Sequence, residues 1–130
     1  NGLDEVMHRL QVSLLAYSPL AFGALTGKYD AGMPADARLG REGQGWLQRM
    51  VMGPQDADRP GRARRFVAIA QELGVAPAPL AIAWCLRNRH VSSVLLGASR
   101  PEQLRQNLEA LDLPATVDDA AWRRIEAATA

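Results

Sequence analysis

Two short apolar runs constrain this chain more than any other feature. Residues 12–17 (VSLLAY) stop at Ser18 and Pro19, and residues 91–97 (VSSVLLG) stop at a glycine. Short, aliphatic and bounded by turn residues, each suits a strand buried on both faces of a parallel sheet. Helix-period segments surround them. Leu3, Val6, Met7 and Leu10 form the tail of an amphipathic helix before the first run. Phe66, Ile69, Ala70 and Leu73 keep helical spacing over 62–73 and stop at Gly74, and a second helix opens near Pro79 with Leu80, Ala83, Trp84 and Leu86. After the second run, a helix is expected over 101–111 with Leu104, Leu108 and Leu111 in one stripe, and Thr116 caps a last helix with Trp122 and Ile125 facing inward. This order is the grammar of a parallel α/β fold, because parallel neighbours need a crossover between them. Two strands leave both sheet edges open, so further protein beside them is expected.

Composition narrows the function. A chain of 130 residues makes one globular domain, and its net charge of +1 argues against a nucleic-acid binder, which needs many uncompensated Lys and Arg on one face. With 48% hydrophobic residues the chain is not disordered. No apolar run approaches the roughly 20 residues of a membrane span, and the N-terminus lacks a signal-peptide pattern, so no membrane insertion and a cytoplasmic location are expected. One cysteine, Cys85, and two histidines, His8 and His90, supply too few soft ligands for a metal cluster. The chain starts at Asn1 in a helix with no visible beginning, so a start further upstream, and hence a fragment, is expected. The Gly-, Pro-, Asp- and Arg-rich stretch 30–61 reads as a long lid-like loop with one apolar cluster, Trp46, Leu47, Met50 and Val51.

Two segments carry candidate chemistry. GALTGK (23–28) lacks the four-residue spacing and the Ser or Thr of a phosphate loop, since Tyr29 follows Lys28. It remains a glycine-containing loop, with the only lysine of the chain, directly after a strand, where α/β folds place ligand-binding groups. GASRPEQLRQN (97–107) passes from a strand into a helix N-terminus, whose amides and dipole favour an anion beside Gly97, Ser99 and Arg100. Ser99 and Glu102 also fit the S-x-x-E capping box, which satisfies the same amides without a ligand. Tyr17 can stack on a flat ring or simply pack, Cys85 reads as an inert core thiol, and Arg62, Arg64 and Arg65 read as a solvated basic face.

AYSPLAFGALTGKYDAG and AIAWCLRNRHVSSVLLGASRPEQLRQNLEAL together resemble the C-terminal part of an aldo-keto reductase, especially the branch with the voltage-gated potassium channel β-subunits. The resemblance covers nearly the whole chain and implies the C-terminal portion of a (β/α)8 TIM-type barrel, with 12–17 as its seventh strand and 91–96 as its eighth. It implies NADPH as cofactor and hydride transfer to a carbonyl. Tyr17 would stack against the nicotinamide, and Ser18, Pro19, Leu20, Ala21 and Gly23 would follow its ribose and the pyrophosphate. Lys28 and Arg38 would add positive charge near the phosphates. Gly97 would lie at the phosphate, Ser99 and Gln103 would face the 2′-phosphate and its ribose, and Gln106 and Asn107 would meet the adenine. Arg100, where a neutral residue is commoner, would strengthen the preference for NADPH over NADH.

The family's catalytic tetrad of Asp, Tyr, Lys and His matches no part of these residues, and Lys28 and Tyr29 are not substitutes, because they belong to the loop after the seventh strand. The resemblance therefore implies a cofactor-binding part that alone reduces no carbonyl, partnered by an N-terminal barrel half or a second copy. The alternative is a non-catalytic nucleotide-sensing or interaction module in the manner of a channel β-subunit.

Overall fold

A computed structural model describes residues 2–34, 37–53 and 57–130; within them the side chains of Leu3, Asp4, Arg38 and Met52 are outside the described ones. Helix α1 (Gly2–Leu10) leads into strand β1 (Leu14–Tyr17), then into 3-10 turns at Ala21–Thr26 and Arg38–Gly40. Helices α2 (Gly45–Met52), α3 (Arg59–Glu72) and α4 (Pro77–Leu86) precede strand β2 (Val91–Leu95). Then come α5 (Pro101–Leu108), a 3-10 turn at Glu109–Leu111, the short α6 (Leu113–Thr116) and α7 (Asp119–Thr129).

The core lies in the helices. Phe66, Ile69 and Ala70 from α3 meet Leu80, Ala81, Ile82 and Ala83 from α4, and Trp122 and Ile125 from α7 close the cluster. Small residues along α4 let α3 and the sheet approach closely, and Pro77 at its start needs no amide partner. Trp122 donates its indole N–H to the Val117 carbonyl at 3.0 Å, and the Arg87 guanidinium lies 4.8 Å from its ring centre. A smaller cluster of Leu39, Leu47 and Val51 carries Phe22, Ala24 and Tyr29 on its edge.

β1 and β2 pair in parallel, with Ala16 opposite Val94 and Tyr17 opposite Leu95. Burial on both faces does not hold: Leu14, Ala16 and Val94 are half-buried toward the helices, whereas Leu15, Tyr17, Ser93 and Leu95 share an exposed face. The helices supply one covering layer, and no second layer of the described chain covers the other face. The strand also begins at Leu14 rather than Val12, and Val12 is exposed.

Other expectations change for local reasons. Residues 30–61 are not unbroken loop, because Leu47 and Val51 lie one helical turn apart and bury together as α2 while Trp46 and Met50 stay exposed. In α1 only Met7 of the described apolar side chains is buried. Trp84 is exposed on α4, and Leu104, Leu108 and Leu111 face outward, because α5 turns Asn107 and the following Ala110 inward instead. Asp118, not Thr116, caps α7, accepting from the Ala121 N–H at 2.7 Å, and Thr116 ends α6. Cys85 is half-buried rather than part of the core, and burial pushes its thiol pKa up, which disfavours the reactive thiolate.

Candidate functional site

The parallel register fixes where the two candidate segments emerge. Tyr17 and Leu95 are partners at the C-terminal ends of their strands, so the 18–28 turn and the 96–107 segment start side by side at one edge of the sheet. That edge is where parallel α/β folds bind ligands. Tyr17 stands there 77% exposed, its ring on the open face beside Leu95.

The first segment is held in unusual backbone geometry. Ser18, Ala21 and Phe22 have φ of 51°, 46° and 57°, followed by Gly23 at 98°. Residues with a Cβ adopt such angles only where their surroundings enforce them. Leu20 packs into the main core beside Leu25, which anchors the turn to the helices. Gly23 is buried, and a Cβ there would meet Lys28 Cε at 2.3 Å and Tyr29 Oη at 3.3 Å. The chain thus closes on itself, with Lys28 folded over Gly23 and its ammonium 5.0 Å from the Tyr29 ring centre. Lys28 is exposed and makes no ion pair among the described residues. Arg38 opens the 3-10 turn Arg38–Gly40, and its side chain lies outside the described ones.

The second segment does not form the expected capping box. Pro101 occupies the first turn of α5, which pushes Arg100 into an extended conformation (φ −141°, ψ 146°) and makes it the N-cap without a side-chain bond. Ser99 lies one residue too early to cap. Instead its N–H and hydroxyl both donate to the Gln103 side-chain oxygen, at 2.9 and 3.1 Å. Ser99 and Gln103, separate in sequence, are therefore one unit. Arg100, Gln103 and Gln106 line a shallow groove with Glu102, Arg105 and Glu109. Gly97 is exposed, and no atom lies within 4 Å of where its Cβ would stand. Asn107, on the inner side of α5, is 4% exposed, and its side chain makes no hydrogen bond to a described residue. Because no enclosed side-chain polar atom lacks a partner, its amide retains contact with solvent.

Tyr29 is the residue that sequence reasoning missed. Its hydroxyl donates to the Phe22 carbonyl at 2.9 Å, and burial raises its pKa. Only its place next to Lys28 hinted at a part in this turn. Among the described residues no three His, Cys, Asp or Glu cluster to hold a metal, and no single helix is long and apolar enough to cross a membrane.

Two neighbouring parallel strands, each running into a turn and then helices, are consistent with part of a (β/α)8 barrel, the fold of the aldo/keto reductases. The model of that family matches residues 1–130, and the chain belongs to the aldo/keto reductase family.

Proposed function

We propose that these residues form the NADPH-binding part of an aldo-keto reductase that transfers hydride between NADPH and a carbonyl substrate, of the branch that includes the voltage-gated potassium channel β-subunits. The observation that carries this is the register of Tyr17 against Leu95, which delivers a turn with an available ammonium and a helix start with a basic N-cap to the same sheet edge. Two observations support the cofactor reading. The Lys28 ammonium is exposed beside the turn, and Arg100, Gln103 and Gln106 line one groove on the helix that follows β2. NADPH bound there supplies hydride to a carbonyl carbon.

On this proposal the exposed ring of Tyr17 stacks on one face of the nicotinamide and leaves the other open. Ser18, Pro19, Leu20, Ala21 and Gly23 line the ribose and pyrophosphate, with Lys28 and Arg38 adding charge. Gly97, Ser99, Arg100 and Gln103 take the 2′-phosphate end, where bonds from a guanidinium to an anion are the stronger kind. Gln106 and Asn107 take the adenine. No residue of this chain is given a proton-transfer role. The open sheet face and the outward leucines of α5 are covered by other strands and helices of the barrel, or by a second copy.

The test is a thermal melt with NADPH and with NADH. Ligand at a hundred times its dissociation constant stabilises a binder by about 2.7 kcal/mol, several degrees in midpoint for a domain of this size. Arg100→Ala is expected to weaken NADPH by about 10- to 100-fold, the range of one hydrogen bond to a charged group, and to leave NADH unchanged. No shift with either dinucleotide would refute the proposal. Equal losses for both would refute the assignment of Arg100.

A further inference from the structure

The left-handed run in the first segment needs something to hold it. Backbone bonds from Ala21 N–H to the Ser18 carbonyl (2.9 Å) and from Gly23 N–H to the Leu20 carbonyl (2.8 Å) tighten it locally. The Phe22 and Gly23 carbonyls are caught by side chains: Tyr29 Oη donates to Phe22 at 2.9 Å, and Thr26 Oγ1 donates to Gly23 at 2.8 Å. The threonine acts within one turn, whereas the tyrosine acts across seven residues and is itself fixed elsewhere. Its ring packs on the cluster of Leu39, Leu47 and Val51, and the Leu39 backbone N–H faces its oxygen. The same ring lies beneath the Lys28 ammonium.

We propose that Tyr29 is a positioning residue for cofactor binding: its hydroxyl latches the 21–28 turn to the second hydrophobic cluster, and its ring seats the Lys28 ammonium. This rests on the reading that the turn binds NADPH. A turn held in its binding conformation before the ligand arrives spares the ligand the cost of ordering it, and affinity falls by the fraction of molecules in which the turn is undone. The tyrosine touches no cofactor atom in this scheme. It acts through Phe22, Gly23 and Lys28, whose geometry it determines.

Two variants of the protein separate the two parts of Tyr29. Tyr29→Phe keeps the ring, its packing and the seat for Lys28 but loses the latch; Tyr29→Leu loses both. NADPH affinity by fluorescence titration is expected to fall about three- to tenfold in the first, the factor carried by one net hydrogen bond, and further in the second. Hydrogen exchange in the ligand-free protein is a readout that a general loss of stability does not imitate: amides of 21–28 exchange faster in Tyr29→Phe, while those of α4 and α7 keep their rates. If the parent binds NADPH and Tyr29→Phe binds it as tightly, the positioning role is wrong and the binding reading stands. If the parent binds no NADPH, the binding reading fails, and exchange decides the latch alone: acceleration confined to 21–28 upholds it, and unchanged rates overturn it.

Discussion

Gly23→Ala separates backbone strain from crowding in the turn after β1. Gly23 has φ +98°, and a Cβ there would stand 2.3 Å from Lys28 Cε and 2.7 Å from Nζ. Gly74, at the C-terminal end of α3, has φ +69° and nothing within 4 Å of its Cβ position, so Gly74→Ala reports the backbone alone. That control is expected to cost about 1–2 kcal/mol, the penalty of a left-handed residue with a side chain. Gly23→Ala is expected to cost about 2–3 kcal/mol, because φ +98° lies beyond the left-handed well. The clash adds little to stability, since the end of an exposed lysine can swing into solvent. On the proposed reading it adds much to function, because the swing removes the ammonium from its place over Tyr29 and is expected to lower NADPH affinity by about tenfold or more. Lys28→Ala relieves the crowding but not the backbone, so the double variant keeps the stability loss of Gly23→Ala and shows no further loss of affinity beyond Lys28→Ala. Urea unfolding followed by the fluorescence of the three tryptophans gives the first quantity, and calorimetric titration gives the second. Equal costs at Gly23 and Gly74, with NADPH affinity intact in Gly23→Ala, would refute the reasoning.

Capping at α7 gives a contrast between neighbours: Asp118→Ala is expected to lose about 1 kcal/mol by urea unfolding, while Thr116→Ala stays within about 0.5 kcal/mol. Trp122→Ala empties the centre of the helix layer and is expected to cost about 3–5 kcal/mol, read from the same unfolding curves. Burial raises the Tyr29 pKa above its usual 10.0, opposed by the Leu39 N–H at its oxygen. A group with a raised folded pKa contributes stability that is complete below its unfolded pKa and is lost as pH climbs through the folded value. Stability should therefore decline above about pH 10 partly through Tyr29, and Tyr29→Phe should show a shallower alkaline decline in midpoint against pH; identical slopes would argue that the phenol ionises freely in the fold.

Much of the fold was written locally. Three helices follow from apolar spacing, from Pro79 and Pro101 and from Gly74, although α3 starts at Arg59 rather than Arg62 and α4 at Pro77 rather than Pro79. What misled was choice among equivalent signals. Thr116 and Asp118 are both good caps, and packing decides between them: the Val117 carbonyl must stand before the helix to receive the Trp122 indole. Ser99 and Glu102 have the spacing of a capping box, yet Pro101 fixes Arg100 as the cap, a signal present in the sequence and outweighed by the familiar pattern. α5 has two usable faces, and its place beside α4 buries the one with Asn107 and leaves the leucine stripe outside. No local rule ranks a leucine face below one bearing asparagine, because that outcome depends on which face meets α4.

The site shows the same limit more sharply. Glycine spacing and the position after a strand located the turn, but not the demands it meets: left-handed backbone at Ala21, Phe22 and Gly23 in a row, and Lys28 folded back over the last of them. Those demands are satisfied from Tyr29 and Leu39, which lie outside the turn, and from a cluster completed by α2, a helix hidden in a glycine- and proline-rich stretch. A ligand-binding loop needs a rigid support to fix its backbone, and here the support belongs to the stretch that composition alone marks as unstructured. On the proposed reading the second cluster is therefore part of the binding apparatus. Leu47→Ala, remote from any cofactor atom, should loosen Tyr29 and weaken NADPH binding, whereas Ile125→Ala, equally buried but in the main core, should lower stability with affinity unchanged among the molecules that remain folded. Parallel losses of affinity in both variants would show that the turn answers to global stability and not to its own support.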